Sequence, residues 1–372
     1  MRPPRPVRVS LVSLLVSALS CVFAPSAIAQ GEKKQPAKME EAQRVEAQTL
    51  IASVDDFANG KAPANPLPVK WEQNHFIKAV GDKTYVPFTV AIDPGALASP
   101  AVAVYVRVVA KGSPPVAQPP TPDKSDEKNK DKKASEPRSP YAFDDLVFMD
   151  AQPSTAAGPQ RVRRAFDVVP GTYDVYVAVK ERGAAGADGS GGAAAAAGTQ
   201  KVGVLKQEIE APDLSGRVFT TSSVILAESV ELMNTALPPE KQAENPYTIG
   251  PMKIVPSATG KFSTKGAVGV IFWIYGAKGQ EATKKPDITV DYKFYRKTGD
   301  QETYFNKTAP QELNAQTLPP EFDLDAGHVL PGSLELPLTV FPEGDYRLEI
   351  EVQDKAAGQK LTRNANFSVA AQ

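Results

Sequence analysis

The chain has very few of the side chains on which most catalytic and metal chemistry depends. Its 372 residues include one cysteine, Cys21, and two histidines, His75 and His328. Two distant histidines cannot complete the ligand shell of a zinc or copper ion, and neither histidine stands in a recognised catalytic motif. We therefore expect no metal, no cofactor and no catalytic histidine, and we expect both histidines to be structural or surface residues.

Other signatures of catalysis are missing from the sequence as well. It contains no G-x-S-x-G, no G-x-x-x-x-G-K-[ST] and no G-x-G-x-x-G that opens a helix. Asp323 and Asp325 suggest a calcium loop, but their surroundings lack the spacing of an EF-hand. A pair of carboxylates for glycoside hydrolysis stays open, because such a pair is brought together in space and not in sequence.

Basic charge is not in excess, which argues against nucleic acid as a partner. The chain has 42 Lys and Arg against 43 Asp and Glu, for a net charge of −1. Removing residues 1–29 takes away Arg2, Arg5, Arg8 and no acid, which leaves 39 basic against 43 acidic residues and a net charge of −4. A protein that binds the phosphate backbone normally carries a basic surface.

The one long apolar run lies at the N-terminus and has the features of an export signal. A basic start precedes an apolar stretch over residues 9–23, and Ala27 and Ala29 form a small-x-small cleavage site. The run is short for a membrane span, and no later segment is long and apolar enough to be one. A lipidated Cys21 is the alternative. We disfavour it because the position three residues before the cysteine is Ala18, where a lipidated cysteine usually has a leucine.

A helix is predicted over residues 38–59, after a polar tail and before a proline-rich connector that ends at residue 66. Apolar residues recur at helical spacing along it, and Gly60 is a natural C-terminal cap. They are Ala47, Leu50, Ile51, Val54 and Phe57. We expect this stripe to pack on the domain that follows; the alternative is a dimerisation or partner helix.

The rest of the chain is organised around a pattern that occurs twice, in residues 166–182 (FDVVPGTYDVYVAVKER) and 338–355 (LTVFPEGDYRLEIEVQDK). Each copy has an apolar strand, a Pro/Gly corner, a tyrosine and an alternating strand. From Tyr346 onward one face is apolar and the other polar, as in a half-exposed antiparallel sheet. In the first copy the outward face, which carries Tyr176 and Ala178, is less polar, so we expect it to be partly covered.

The tyrosine after each corner resembles the tyrosine corner of immunoglobulin-like sandwiches, and the resemblance extends over about residues 67–370. The stretches YVPFTV (85–90) and FPEGDYRLEIEV (341–352) are similar to those of uncharacterised exported bacterial proteins with immunoglobulin-like or fibronectin-III-like repeats. The resemblance implies a mainly β chain with two antiparallel β-sandwich domains. The chain lacks the inter-sheet cysteine pair of antibody domains, so the resemblance does not determine the order of the strands.

Strand patterns and turns divide the chain into four parts. They are a signal peptide (1–29), a tail, helix and connector (30–66), a first sandwich (67–212) and a second sandwich (213–372). The first sandwich carries two insertions, the charged and proline-rich 112–140 and the Gly/Ala-rich 183–199, which we expect to be disordered and to leave opposite ends of the sheet. In the second sandwich, residues 218–226 predict a strand, 297–300 a hairpin turn and 310–315 a short helix.

One strand, 269–276 (GVIFWIYG), is apolar on both faces, so something must cover its second face. In immunoglobulin-like domains a tryptophan on strand C is commonly core, which is the reading we prefer for Trp273. The alternative is an exposed aromatic platform for a sugar or a partner, with Trp273 and Tyr275 as candidate ligand-binding residues and Trp71 as a weaker one.

These observations favour an exported, periplasmic or secreted, non-catalytic binding or scaffold protein of the bacterial cell envelope. Its partner would be a protein or an envelope glycan, with no nucleic acid and no transmembrane segment after signal cleavage. The alternatives are a carbohydrate-binding module that uses exposed aromatics and a glycan-active enzyme with two carboxylates. Aromatic residues on an exposed face would favour the first, and two acids about 5–10 Å apart in a cleft would favour the second.

The signal peptide generates the first prediction: the exported protein begins at Gln30. Intact mass spectrometry of protein recovered after export should give the mass of residues 30–372. The reason is that Ala27 and Ala29 follow an apolar run of signal-peptide length. A mass that includes a lipid on Cys21 would contradict it.

Overall fold

The computed structural model describes residues 41–116, 139–153, 158–182, 201–235 and 237–371. The expected signal peptide, the polar tail and most of both insertions lie outside the described residues. Within the described residues the chain is mainly β, as predicted, with one long helix. Among these described residues, no helix has the length and hydropathy that a bilayer crossing requires.

The elements of the first half are α1 (Glu41–Ala58), β1 (Val69–Asn74), β2 (Ile77–Lys78), β3 (Thr84–Ile92), β4 (Ala101–Ala110), β5 (Phe143–Asp150), β6 (Gln152–Pro153), β7 (Gln160–Val168), β8 (Gly171–Glu181) and β9 (Val202–Ala211). Those of the second half are β10 (Thr220–Thr221), β11 (Ile225–Leu232), α2 (Pro239–Gln242), β12 (Thr248–Ile249), β13 (Met252–Pro256), β14 (Lys261–Ser263), β15 (Ala267–Tyr275), β16 (Ile288–Thr298), β17 (Gln301–Lys307), β18 (Gln311–Leu313), β19 (Leu330–Pro337), β20 (Gly344–Asp354) and β21 (Gln359–Ala370).

The contacts divide the chain into two compact units. The N-terminal unit contains the described residues up to Asn74 and from Thr84 to Pro212, and the C-terminal unit contains those from Asp213 onward. The segment His75–Lys83, which sequence analysis places in the first sandwich, belongs to the C-terminal unit.

Both units have the same strand order. Counting seven long strands in each unit, the first, second and fifth form one sheet, and the fourth, third, sixth and seventh form the other. These sheets are β1-β3-β7 and β5-β4-β8-β9 in the N-terminal unit, and β11-β15-β19 and β17-β16-β20-β21 in the C-terminal unit. The arrangement is that of a fibronectin-III-like sandwich, so the predicted β-sandwich class is confirmed.

Apolar side chains from both sheets fill the interior of each sandwich. In the N-terminal unit, Phe143 of one sheet lies 5.8 Å from Phe166 of the other, ring centre to ring centre. In the C-terminal unit the core includes Phe272 and Phe294, both at most 1 % exposed. Residues of alternate parity on these strands therefore point outward, away from the core.

The two predicted tyrosine corners are present. The Tyr173 hydroxyl donates a hydrogen bond to the Val169 carbonyl at 2.8 Å, and the Tyr346 hydroxyl donates one to the Pro342 carbonyl at 2.6 Å. Gly344, two residues before Tyr346, has a φ of 143°, a conformation that side chains with a Cβ rarely adopt. The backbone conformation of Gly344 and the hydrogen bond of Tyr346 thus both stabilise this turn.

Helix α1 packs on the outer face of the sheet β5-β4-β8-β9, so the prediction that it covers its own domain is confirmed. Leu50 and Val54 are fully buried there against Tyr176 and Ala178, the outward residues whose low polarity predicted a cover. The helix ends at Ala58, and Gly60 caps it as predicted: the Gly60 N–H donates to the Phe57 carbonyl at 3.0 Å and the Lys61 N–H to the Asp56 carbonyl at 2.9 Å in a Schellman turn.

Sequence analysis missed the charges buried beneath α1. Arg107 on β4 is 1 % exposed; its guanidinium lies 2.5 Å from the carboxylate of Asp55 on the helix and 4.4 Å from the centre of the Tyr141 ring. Arg182, at the end of β8, pairs with Glu46 at 3.0 Å. Truncating one partner of such a pair leaves a desolvated charge behind, so these pairs fix where the helix sits.

The structure can be compared with three predictions about single elements. The predicted helix at 310–315 is wrong, because Gln311–Leu313 forms β18 and pairs with β16. The strand expected at 218–226 is broken into β10 and β11, which both pair with β15. The two insertions do leave opposite ends of the sheet, since the end of β4 pairs with the start of β8 and the end of β8 with the start of β4.

The corner hydrogen bond generates the second prediction. Replacing Tyr346 by Phe should lower the free energy of unfolding by about 1 kcal/mol, because the corner loses a partly buried hydrogen bond while ring packing is kept. Urea unfolding followed by circular dichroism measures this. Tyr304→Phe, at a side chain that is 57 % exposed, is the matched control and should change stability by less than about 0.5 kcal/mol. Equal effects of the two substitutions would contradict the role given to the corner.

Candidate functional site

Trp273 and Tyr275, the strongest sequence candidates for a binding platform, are buried. Trp273 is 3 % exposed and Tyr275 is 5 % exposed, so neither can stack on a ligand. The expectation of an exposed aromatic platform at these two residues is therefore wrong, and the burial expected for Trp273 is confirmed. The strand differs from expectation, because Trp273 lies on the second strand of its sandwich, β15, and not on the third.

The second face of β15 is covered in part by the segment His75–Lys83 of the same unit. The Lys78 backbone N–H donates to the Tyr275 hydroxyl at 3.1 Å, and the Phe76 N–H donates to the Ser223 hydroxyl at 2.9 Å. Burial raises the pKa of the Tyr275 hydroxyl. The part of this face around Tyr275 is thus covered by packing within the C-terminal unit.

Trp71, the weaker candidate, is partly buried on β1. Its ring is stacked on Phe88, with centres 4.7 Å apart, and its indole N–H donates to the Asn74 side-chain oxygen at 3.2 Å. One face of the indole and its only donor are therefore already engaged. Trp71 supports the packing of the N-terminal sandwich and offers little to a ligand.

Both histidines have structural surroundings. His75 is 8 % exposed, and its Nδ1 lies 3.0 Å from the Tyr247 hydroxyl. Burial lowers the pKa of His75 to about 4. His328 accepts a hydrogen bond at Nδ1 from the Asp323 backbone N–H at 3.0 Å and so ties down its own loop. In the same loop Asp323 accepts from the Asp325 N–H at 2.8 Å, so its carboxylate serves the turn.

No metal centre is formed by the part of the chain that the structure describes: no three His, Cys, Asp or Glu side chains there converge in a way that would hold an ion. The single cysteine, Cys21, lies outside the described residues. This finding applies to residues 41–371 with their gaps and leaves the remaining segments open.

The arrangement with most to offer a partner lies on the outer face of the sheet β17-β16-β20-β21, which we call the outer face. It is the counterpart of the face that α1 covers in the N-terminal unit. Eighteen of its outward residues are polar or aromatic, and none of its four strands points a Leu, Ile, Val, Met or Phe outward. They are Thr289, Asp291, Lys293, Tyr295, Lys297, Glu302, Tyr304, Lys307, Asp345, Arg347, Glu349, Glu351, Gln353, Lys360, Thr362, Asn364, Asn366 and Ser368.

An aromatic and arginine ladder crosses the outer face. Tyr304, Tyr295 and Arg347 lie opposite one another on β17, β16 and β20. The two tyrosine rings meet edge to face with centres 6.0 Å apart, and the Arg347 guanidinium lies 4.3 Å above the Tyr295 ring. A bulge leaves Phe305 unpaired on β17, and the Phe305 ring packs inward on Phe341, 5.0 Å away, which leaves Tyr304 facing outward.

Ion pairs neutralise the charges around this ladder. Arg347 Nε lies 2.8 Å from Glu302 and its Nη1 lies 3.0 Å from Glu349. Lys360 donates to Glu351 and thereby holds the pKa of that carboxyl below its ordinary value. Each single exposed pair contributes little to stability, but together they hold long side chains in one geometry.

A shallow depression of about 290 Å³ adjoins the ladder where β16 and β21 end and β20 begins. Its lining includes Lys297, Asp345, Asn366 and Ser368 from the outer face and Gly260 from a neighbouring loop. The Lys297 ammonium donates to the Asn366 amide oxygen at 2.9 Å, and the Ser368 hydroxyl lies 2.5 Å from the Asp345 carboxylate. The depression thus presents an ammonium, an amide, a hydroxyl and a carboxylate side by side.

Comparison with known proteins gives no family for this chain. No protein-family model and no curated protein matches it. Among solved structures, it is similar to a family 123 glycoside hydrolase from Clostridium perfringens at 8 % identity over 40 % of this chain and 28 % of that chain, with a TM-score of 0.19. It is similar to a beta-glucuronidase of Bacteroides uniformis at 8 % identity over 77 % of this chain and 26 % of that chain, with a TM-score of 0.24.

The chain spans only about a quarter of the length of these two enzymes. Likenesses this weak carry no argument about activity.

Burial of His75 generates the third prediction. The pKa is about 4 in the folded chain and about 6.5 in the unfolded chain, so the unfolded state binds an extra proton between these values. The free energy of unfolding should therefore fall as pH drops from 6.5 to 4, and His75 alone should contribute roughly 3 kcal/mol of this loss. Urea unfolding at a series of pH values measures the slope.

His75→Gln should flatten the slope between pH 6.5 and 5, where few carboxylates titrate. The control is Val218→Ala, at a side chain that is 67 % exposed, which removes no titrating group and should leave the slope as in the parent protein. An unchanged slope in His75→Gln would show that His75 is not held neutral by burial.

Proposed function

We propose that this chain is an exported, non-catalytic binding protein or scaffold of the bacterial cell envelope, which binds its partner on the outer face of the C-terminal sandwich. Export is supported by the basic, apolar and small-residue pattern of residues 1–29. A cysteine-free chain after residue 29 relies on its cores, and two sandwiches of this size supply them.

One contrast carries the proposal. Two sheets with the same strand order treat their equivalent faces differently: α1 covers one with buried Leu50 and Val54, whereas the other carries Tyr304 at 57 % exposure. An exposed tyrosine costs little side-chain entropy when it binds, and tyrosines are enriched in binding surfaces for that reason. Tyr304 packs against Tyr295 before any partner arrives, and Arg347 in turn lies over the Tyr295 ring.

The fourth prediction tests which face binds. Residues 30–372 contain no cysteine, so a single introduced cysteine takes a bulky maleimide label at one site only. Thr362→Cys places the label on the outer face, and Gln48→Cys places it on the exposed side of α1. Labelled Thr362→Cys should lose at least 90 % of the material that the unlabelled protein captures from envelope extract, because the label blocks the face.

Labelled Gln48→Cys is the matched control and should capture as much as the parent protein. Circular dichroism of both labelled proteins should show the parent spectrum. Full capture by labelled Thr362→Cys would remove the outer face from the proposal, and loss of capture by labelled Gln48→Cys would move the binding site to the helix.

A further inference from the structure

We infer that the outer face binds an uncharged oligosaccharide, which lies across the strands from Tyr304 to the depression at Lys297 and Asp345. This inference rests on the proposed function and names the chemical class of its partner. It replaces the buried residues Trp273 and Tyr275 by a different aromatic site.

The shape of the exposed aromatic surface suits a sugar ring. Tyr304 meets Tyr295 edge to face, so the two rings form a narrow ridge and not a broad apolar patch. The C–H groups on one side of a sugar ring pack against such a tyrosine ring. A narrow ridge bordered by polar groups suits a ligand that needs one stacked ring and many hydrogen bonds.

The net charge of the outer face favours an uncharged ligand. The outward residues of the four strands include five basic side chains, Lys293, Lys297, Lys307, Arg347 and Lys360, and five acidic ones, Asp291, Glu302, Asp345, Glu349 and Glu351, so their sum is zero. Arg347, the cation at the centre, already has Glu302 and Glu349 as partners at 2.8 and 3.0 Å. An acidic polymer would have to displace these carboxylates, whereas an uncharged ligand leaves them in place.

The composition of the outer face favours a sugar over a protein as the partner. A stable protein interface usually buries an apolar core in addition to its tyrosine and arginine anchors. The outward set of this face contains no Leu, Ile, Val, Met or Phe. Hydroxyl-rich ligands need what is present instead, namely amides at Asn364 and Asn366, hydroxyls at Thr362 and Ser368, and fixed carboxylates.

The width of the four-stranded sheet limits the length of the ligand. Neighbouring strands are about 4.8 Å apart, so the three spacings from β17 to β21 extend over about 14 Å. The depression, at about 290 Å³, lies at the small end of ligand sites and holds a part of a ligand. The ridge and the depression together therefore suit a short, extended oligosaccharide.

The experiment titrates residues 30–372 with chitohexaose, cellohexaose and maltohexaose as uncharged probes and with hexagalacturonate as the acidic probe, by isothermal calorimetry. At least one uncharged probe should bind with a Kd below about 1 mM. Tyr304→Ala should weaken it about tenfold or more, because the stacked ring is lost. Tyr304→Phe, which keeps the ring, should stay within about twofold, as should Val218→Ala, an exposed apolar control on the same unit.

Each other outcome overturns the inference in a distinct way. No binding of any uncharged probe at 5 mM, or tighter binding of hexagalacturonate, removes the uncharged sugar as the ligand. Binding that Tyr304→Ala leaves unchanged removes the site. If no sugar binds while the label at Thr362→Cys still blocks capture of a protein from envelope extract, the sugar is wrong and the proposed face stands. If that label has no effect, the proposed function fails as well.

Discussion

Period-two alternation gives every strand of a sandwich an inner and an outer face, and an outer face must either meet water or be covered. The chain satisfies this constraint in three ways. In the N-terminal unit α1 covers the outward Tyr176 and Ala178. On β15, the segment His75–Lys83 covers part of an apolar second face, around Tyr275. On the outer face of the C-terminal unit, charges in pairs keep the surface in water and leave Tyr304 exposed.

The helix and its sheet illustrate how the cover is positioned. Apolar packing of Leu50 and Val54 provides the favourable free energy, since burying each side chain is worth about 1.5–3 kcal/mol. Apolar packing alone does not determine one register of the helix on the sheet. The buried pair Arg107–Asp55 does so, because in any other register the buried Arg107 would lose its carboxylate partner and be left with neutral acceptors, the Tyr105 hydroxyl and the Pro115 carbonyl. The helix therefore belongs to its sandwich, and the equivalent face of the other unit is the one that differs.

Local patterns predicted much of this architecture. The alternation after Tyr346 predicted both faces of β20, and the Pro/Gly corners predicted the hydrogen bonds of Tyr173 and Tyr346, because a corner and its tyrosine lie within four residues. Burial of Arg107 could not be predicted, since it depends on Asp55, 52 residues away.

The candidate site was out of reach of the sequence for a similar reason. Its ladder joins residues of three strands, and a bulge at Phe305 decides that Tyr304 faces outward. Sequence patterns pointed instead to Trp273, which has the larger aromatic side chain but faces a covered surface.

Hydroxyl-radical footprinting of residues 30–372, read residue by residue by mass spectrometry, tests the central claim most directly. That claim is that the outer face of the C-terminal sandwich is open while the other aromatic faces are closed. In the free protein Tyr304 should be oxidised readily, and Trp273 and Tyr275 should resist oxidation. Addition of envelope extract should protect Tyr304 and Tyr295. Ready oxidation of Trp273 in the free protein, or protection confined to the N-terminal unit, would contradict the account.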